Sequence, residues 1–144
     1  MIYAFSTAGT AQLDALLATG PLLAFDIDGT LAPIVDHPDK ARLPDDVQHG
    51  LAKIAQHSEV AIITGRAVDD ARRMLSFEPR YLIGNHGAEG LPGWHDRSQS
   101  FAETVRRWRE TLQGSMALGA AGVSVEDKCY SMSLHFRRSA KPAL

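Results

Sequence analysis

The sequence contains a single cysteine, Cys129, so a disulfide cannot form within the chain. It also has no long apolar run: none approaches the roughly 20 residues that a membrane-spanning helix needs. No long basic block is present, and the formal net charge of −2 gives no footprint for nucleic acid. The N-terminus lacks the positive segment of a secretory signal. These absences predict a globular cytoplasmic protein with neither membrane nor nucleic-acid partners.

Two carboxylates follow a short apolar run near the N-terminus. The run at 22–25 leads into Asp26, Ile27, Asp28 and Gly29. In an extended strand, side chains two residues apart lie on one face, so both aspartates can converge. Such apolar strands occur in parallel α/β sheets, whose ligands bind at the carboxyl ends. Paired carboxylates there can hold a hard cation, and one can attack while the other moves a proton. The pattern indicates phosphoryl transfer; the alternative is an ordinary Asp-Gly turn.

The segments around this motif predict alternating helices and strands. The predicted elements are a helix at 11–18 capped by Thr10, a strand at 22–25, a helix at 44–56, a strand at 60–63, a helix at 67–75 and a strand at 81–83. Right-handed crossovers make such strands parallel, with their carboxyl ends on one edge. The polar residues that follow each strand are therefore candidates for one site.

Thr64 follows the second strand, just before a helix begins. A hydroxyl beside the N–H groups of a helix start can bind phosphate, although Thr64 could equally cap that helix. Arg66 is either a ligand contact or a solvated surface charge. His86 follows the third strand and is either a catalytic base or a hydrogen-bonded turn residue. The glycines beside His86 indicate that something approaches its backbone closely.

The character of the sequence changes after Pro92, with a boundary at 94–98. Ser100 and Glu103 predict a capping box at the start of a packing helix that runs to Gly119. The apolar stripe of this helix is Phe101, Val105, Trp108, Leu112 and Met116.

Two segments, 123–128 and 130–137, then predict a hairpin. In the second strand Met132, Leu134 and Phe136 alternate with polar residues, so one face is apolar. Glu126 and Lys128 share one face of the first strand, where a solvated sheet surface is the ordinary interpretation.

The first motif resembles that of haloacid dehalogenase-like phosphatases, and the chain from about Leu22 to Arg137 resembles the trehalose-6-phosphate phosphatase family. The matching segments are Phe25 to Ile34, Ala41 to Pro44, Thr64 to Arg66, Ile83 to Glu89, Val125 to Lys128 and His135 to Arg137. The resemblance implies a Rossmann-like parallel sheet of the haloacid dehalogenase type with the beginning of a small α/β cap. Residues 1–20 would form an N-terminal packing helix, 21–95 the first part of the core, and 96–144 an incomplete cap.

By this resemblance the reaction is hydrolysis of trehalose 6-phosphate. Asp26 would attack phosphorus, and Asp28 would protonate the sugar oxygen and later activate water. Mg²⁺ would be held by the Asp26 carboxylate and the Asp28 backbone carbonyl. The implied substrate-binding residues are Thr64, Gly65, Arg66, His86, Gly87, Glu126 and Lys128, with Glu126 and Lys128 on glucose hydroxyls. The alternatives are another sugar-phosphate phosphatase, such as one for sucrose 6-phosphate, or a non-catalytic phosphosugar-binding remnant.

The sequence departs from the family pattern in two places. Cys129 stands where the family often has glycine, which predicts a stiffer hairpin turn. The family also has a later lysine and an acid-rich loop that completes the magnesium site, whereas residues 138–144 contain no acid. Lys141 comes too early to be that lysine. We therefore expect a fragment or a short form with poor turnover and weak Mg²⁺ binding, whose open sheet edge favours a homo-oligomer.

Overall fold

The computed structural model describes residues 2–113 and 122–136. The helices are α1 (Thr7–Leu17), α2 (Asp45–Ala55), α3 (Val68–Met74) and α4 (His95–Gln113). The strands are β1 (Leu23–Phe25), β2 (Val60–Ile63), β3 (Tyr81–Ile83), β4 (Ser124–Asp127) and β5 (Met132–His135). Short 3₁₀ turns lie at Pro38–Lys40 and Asn85–Gly87. The predicted positions of Met116, Gly119, Arg137 and Lys141 lie outside the described residues.

The first three strands form a parallel sheet in the order β1-β2-β3, as predicted. Leu23 pairs with Val60 and Phe25 with Ile62, so β1 and β2 end at the same edge. The side chains of Val60, Ala61 and Ile62 are all buried, and since successive side chains alternate between faces, β2 is covered on both. The sheet therefore confirms the α/β class. The last two strands form a separate antiparallel hairpin.

The chain divides into two compact units. The first comprises Met1–Ile63 with Arg72–Leu82, and the second comprises Thr64–Ala71 with Ile83–Leu144. The core of the first unit is built from apolar residues of the sheet, α2 and the loop before α2. Its most buried members include Ile27, Ala41, Leu43, Leu51, Val60 and Ile62.

The N-terminal helix differs from its prediction at its start and on its apolar face. It begins at Thr7 because Ser6 is the N-cap, with a side-chain oxygen that accepts the Gly9 N–H at 3.1 Å. Thr10 is not the cap; its hydroxyl lies within the first turns of the helix and donates to the carbonyls of Ser6 and Thr7. A packing helix buries its apolar face, but Leu13, Leu16 and Leu17, which share that face, are 41–54% exposed. Helical spacing shows that these residues share a face, but it does not show that the described chain covers that face.

The second helix lies where it is predicted, within one residue at each end. Pro44 occupies the N-cap position rather than the first turn, and Asp45 and Asp46 follow it at the positive end of the helix dipole. Leu51 is buried, whereas Ile54 lies at the exposed margin of the apolar face.

The predicted capping box at Ser100 and Glu103 is wrong. The helix α4 begins at His95, so Ser100 lies inside it, where its carbonyl accepts the hydroxyl of Thr104 at 2.9 Å. A local Ser-x-x-Glu pattern fits the second turn of a longer helix as well as it fits a helix start. Of the predicted stripe, Val105 is buried and Trp108 is 55% exposed.

The hairpin is shorter than predicted, and its apolar face is uncovered by the described residues. Leu134 and Phe136 are both exposed, although Met132 is half-buried. Glu126 pairs with Ser133 and Ser124 with His135, so these four side chains share the polar face. This register confirms the predicted alternation of polar and apolar positions in β5.

No helix in the described part of the chain combines the length and hydrophobicity that crossing a membrane requires.

Candidate active site

Asp26 and Asp28 belong to the first unit, in the turn that directly follows β1. Both are exposed, and Ile27 between them is completely buried. This alternation continues the strand pattern past the end of β1, so the apolar side chain anchors the turn while both carboxylates face solvent. The sequence prediction that the two aspartates share a face is consistent with this burial.

The backbone of this turn is closed by several hydrogen bonds. The Ile27 carbonyl accepts the N–H groups of Leu31 at 2.9 Å and Ala32 at 2.8 Å. The Gly29 N–H donates to the Ala32 carbonyl at 2.8 Å, and Asp28 and Ala32 form a parallel bridge. Gly29 has φ of 86°, a left-handed conformation that glycine adopts without steric cost. The turn is therefore a fixed support for two exposed carboxylates rather than a loose Asp-Gly loop.

The other candidate residues belong to the second unit, where two loops pack together. The loop after β2 contains Thr64 and Arg66, and the loop after β3 contains Asn85 and His86. The Asn85 N–H donates to the Arg66 carbonyl at 2.7 Å, and the His86 N–H donates to the Thr64 carbonyl at 3.1 Å. These bonds join the two loops along their backbones.

Glycine is required where the two loops touch. A β-carbon on Gly84 would lie 2.7 Å from the Arg66 carbonyl oxygen and 2.8 Å from the Val68 nitrogen. A β-carbon on Gly65 would collide with the imidazole ring of His86. The sequence predicts a close approach to the backbone at the glycines beside His86, and at Gly84 the structure shows it as the backbone of Arg66 and Val68.

Gly84→Ala is expected to destabilise the protein by about 2 kcal/mol, because its clashing neighbours are backbone atoms that cannot rotate away. Gly50→Ala is the matched control: Gly50 lies inside α2 with open space around its β-carbon position. That control should stabilise by about 0.5–1 kcal/mol. Urea denaturation measures both free energies of unfolding. Equal stability of the two variants would show that the loops do not pack as described.

The hydroxyl of Thr64 is not the cap of α3. Its oxygen accepts the Arg66 N–H at 3.3 Å, two residues before the helix begins. The N–H of Val68, the first residue of α3, instead donates to a Glu89 carboxylate oxygen at 3.0 Å. The anion at this helix start is thus supplied by the protein itself. The prediction of a phosphate site at this helix start is therefore corrected: the Val68 N–H is not available to phosphate, because it already donates to Glu89.

Arg66 is buried, so the interpretation as a solvated surface charge is wrong. One of its guanidinium nitrogens donates at 2.7 Å to a carboxylate oxygen of Asp70, which lies in the first turn of α3. Whether Arg66 also meets a ligand stays a prediction, as do the roles of Gly65 and Gly87.

The hairpin brings Lys128 to the loop after β2. The Lys128 ammonium donates to the Gly65 carbonyl at 2.9 Å and lies 3.7 Å from a Glu126 carboxylate oxygen. The same oxygen lies 2.7 Å from the Nε2 atom of His135. The Lys128 side chain is only 13% exposed, so it is not an ordinary solvated surface lysine. Gly65, Lys128, Glu126 and His135 therefore form one continuous polar group within the second unit.

The turn of the hairpin places Cys129 in a left-handed conformation, with φ of 68°. Its N–H donates to the Asp127 carboxylate at 2.8 Å, which holds the turn closed. The next residue, Tyr130, meets the ring of Trp94 edge to face at 4.7 Å. Burial, together with the charges of Cys129 and Glu89, raises the pKa of Tyr130.

Sequence reasoning assigned no role to Asn85, Glu89 or Ser131. The Asn85 amide nitrogen donates to Glu89 at 2.7 Å, and the Ser131 hydroxyl donates to the Asn85 amide oxygen at 2.7 Å. Asn85 and Glu89 lie within a motif that the resemblance had singled out, but the link to Ser131 spans 46 residues. No spacing rule reveals a contact across that distance.

The parallel α/β sheet, with paired aspartates directly after its first strand, has the fold of the haloacid dehalogenase type. The family model for trehalose-phosphatase matches residues 24–143, and the chain belongs to that family.

Named relatives agree with this family. The chain is 34% identical to a trehalose-phosphate phosphatase of Mycobacterium leprae over 89% of its own length. It is 28% identical to trehalose 6-phosphate phosphatase RA3 of Zea mays over 88% of its length. It spans 31% of the first protein and 41% of the second, so it covers less than half of either.

Solved structures support the fold. A trehalose-6-phosphate phosphatase related protein matches with a TM-score of 0.71 and 20% identity, over 83% of this chain and 53% of that one. The C-terminal domain of a C. albicans trehalose-6-phosphate phosphatase matches with a TM-score of 0.57 and 21% identity, over 83% of this chain and 44% of that one.

Proposed function

We propose that this protein hydrolyses trehalose 6-phosphate to trehalose and phosphate through an aspartyl-phosphate. The observation that carries the proposal is the turn in which exposed Asp26 and Asp28 flank the buried Ile27. Family membership and the names of the relatives support the choice of substrate.

Asp26 is the nucleophile in this proposal. A carboxylate oxygen of Asp26 forms a bond to phosphorus as the bond from phosphorus to the sugar oxygen breaks. Asp28 gives a proton to the departing sugar oxygen, which leaves as trehalose. Asp28 then takes a proton from a water molecule that attacks the aspartyl-phosphate, and this step restores Asp26 and releases phosphate. Asp26 and Asp28 thus have different roles in the reaction, and because both lie in one fixed turn, neither must move far.

The donor chemistry of this turn fits Mg²⁺. Magnesium prefers hard oxygen ligands, keeps several waters, and usually takes only one or two protein carboxylates together with substrate phosphate. Both carboxylates are exposed to water, and within residues 2–113 and 122–136 no group of three or more acidic, histidine or cysteine side chains is placed to hold a metal ion without further ligands. The Asp26 carboxylate and the Asp28 carbonyl would hold the ion, which would offset the phosphoryl charge.

The proposed binding groups are those that the family resemblance implies. The Thr64 hydroxyl would bind phosphoryl oxygens, with the loop residues Gly65, Arg66, His86 and Gly87 as further contacts. Glu126 and Lys128 would bind glucose hydroxyls, since a carboxylate accepts and an ammonium donates hydrogen bonds. The Lys128 ammonium and a Glu126 carboxylate oxygen lie 3.7 Å apart, which supports a joint role in binding the sugar.

We also propose that the protein is cytoplasmic, where its exposed Cys129 thiol would remain reduced.

Phosphate release tests the proposal. The chain is assayed with Mg²⁺ on trehalose 6-phosphate, on sucrose 6-phosphate and on an aryl phosphate. Preferred release from trehalose 6-phosphate is expected. Faster release from sucrose 6-phosphate would show that sucrose 6-phosphate is the substrate, and the proposed aspartyl-phosphate chemistry would still apply. If the chain binds trehalose 6-phosphate in calorimetry but releases nothing from any substrate, it is a binding protein and the proposal fails.

A further inference from the structure

Asn85 is a buried polar residue outside the set of proposed site residues. It is 2% exposed, so each hydrogen-bonding group of its amide needs a partner within the protein. The amide nitrogen donates to Glu89 at 2.7 Å and to the Lys128 carbonyl at 3.3 Å. The amide oxygen accepts the Ser131 hydroxyl at 2.7 Å. A single side chain therefore connects the loop after β3 to both ends of the hairpin turn.

The partners leave no choice in the orientation of this amide. Glu89 and the Lys128 carbonyl can only accept hydrogen bonds, so the NH₂ group must face them. The Ser131 hydroxyl then donates to the oxygen. Glu89 also accepts the Val68 N–H, so the network continues to the start of α3. Both amide atoms of Asn85 have hydrogen-bond partners in this network, and networks of this kind fix the positions of their members.

The backbone at Asn85 is itself under strain. Asn85 and His86 have φ of 50° and 55°, two consecutive non-glycine residues in the left-handed region. Asparagine tolerates this conformation better than most residues. Such conformations cost about 1–3 kcal/mol each and persist where surrounding contacts hold them.

We infer that Asn85 is a positioning residue that holds the turn between Lys128 and Ser131 against the loop after β3, and so keeps the Lys128 ammonium on the Gly65 carbonyl of the loop after β2. The inference deepens the proposed function, because it concerns how Lys128 is presented to a sugar phosphate. Asn85 itself is bonded to protein groups on both amide atoms, so it acts through Lys128 rather than by touching substrate.

The first test measures the position of Lys128 without any activity. Lysine acetylation by a limiting reagent is followed by peptide mass spectrometry, with the exposed Lys40 and Lys53 as internal references. Asn85→Gly removes the amide and keeps a residue that tolerates φ of 50°. Relative acetylation of Lys128 should rise about fivefold, the factor that corresponds to the loss of one ordinary hydrogen bond.

Two further variants separate positioning from general damage. Ser131→Ala removes one hydroxyl from the network and should raise Lys128 acetylation in the same direction. Thr104→Ala is the matched control, because it removes one hydroxyl that donates to a carbonyl inside α4. Lys128 should stay protected in that control. Asn85→Asp keeps the side-chain shape but sets a carboxylate against Glu89, so it should expose Lys128 at least as much as Asn85→Gly.

A kinetic measurement then addresses the role in binding. With trehalose 6-phosphate, Asn85→Gly and Ser131→Ala should raise KM about fivefold and change kcat less than about twofold. Unchanged Lys128 acetylation in both variants would overturn the inference. Raised Lys128 acetylation with unchanged KM would overturn the inference that Asn85 affects substrate binding through Lys128. If the wild-type chain does not hydrolyse trehalose 6-phosphate, the proposed function fails, and acetylation still decides whether Asn85 positions Lys128.

Discussion

Asp26→Asn is expected to lower phosphate release from trehalose 6-phosphate by at least about 10⁴-fold, to the detection limit. The amide nearly matches the carboxylate in shape, but its oxygen is too weak a nucleophile to displace the sugar oxygen. The side chain is exposed and Ile27 anchors the turn, so the fold should not depend on the charge of Asp26. The measurement is a comparison of kcat/KM for the two proteins.

The same substitution elsewhere provides the control. Asp14→Asn changes an exposed aspartate of α1 and should leave the rate unchanged. Unfolding curves of all three proteins should coincide within about 0.5 kcal/mol, as is usual for surface substitutions. Turnover by Asp26→Asn at more than a hundredth of the wild-type rate would mean that another residue attacks phosphorus.

Asp28→Asn should have an effect that depends on the leaving group. On trehalose 6-phosphate the rate should fall about 10²–10⁴-fold, the usual contribution of a general acid. An aryl phosphate leaves as a stabilised phenolate and hardly needs a proton. Phosphorylation of Asp26 by that substrate should therefore remain much faster than by the sugar phosphate. Stopped-flow measurement of phenolate release follows this step directly.

The comparison between the two substrates decides the role of Asp28. If Asp28→Asn lowers the phosphorylation rate equally for sugar and aryl substrates, Asp28 does not act as the acid. A burst of phenolate followed by slow turnover is the expected pattern, because the amide cannot activate water for the second step. A steady rate with no burst would contradict that second role.

Local chemistry made much of the fold predictable from the sequence. The strands β1, β2 and β3 are short apolar segments that end in polar or glycine residues, and the structure contains them where that pattern predicts them. The carboxylate turn could also be predicted, because a period of two residues places Asp26 and Asp28 on one face. In these cases the information lies within a few neighbouring residues.

The wrong predictions concern features that a few neighbouring residues do not determine. The Ser100 capping box matched a local pattern, but α4 begins earlier, and helix boundaries are weakly specified by sequence. The leucines of α1 have helical spacing, and only the structure shows that the described residues do not cover them.

Contacts between residues far apart in the sequence could not be predicted from it either. Lys128 meets Gly65 across 63 residues, and Glu89 reaches the start of α3 across 21. Both contacts depend on how the loops and hairpin pack. Sequence reasoning therefore found most of the proposed chemical groups but not the network that holds them.

The central claim is that Asp26 carries the phosphoryl group during turnover. Acid quenching of Asp28→Asn during reaction with an aryl phosphate, followed by peptide mass spectrometry, tests it most directly. Acid preserves an acyl phosphate long enough for mapping, and the slowed second step should let it accumulate. We predict a phosphoryl group on Asp26. Phenolate release without a phosphorylated protein, or with the phosphoryl group on another residue, would contradict the account.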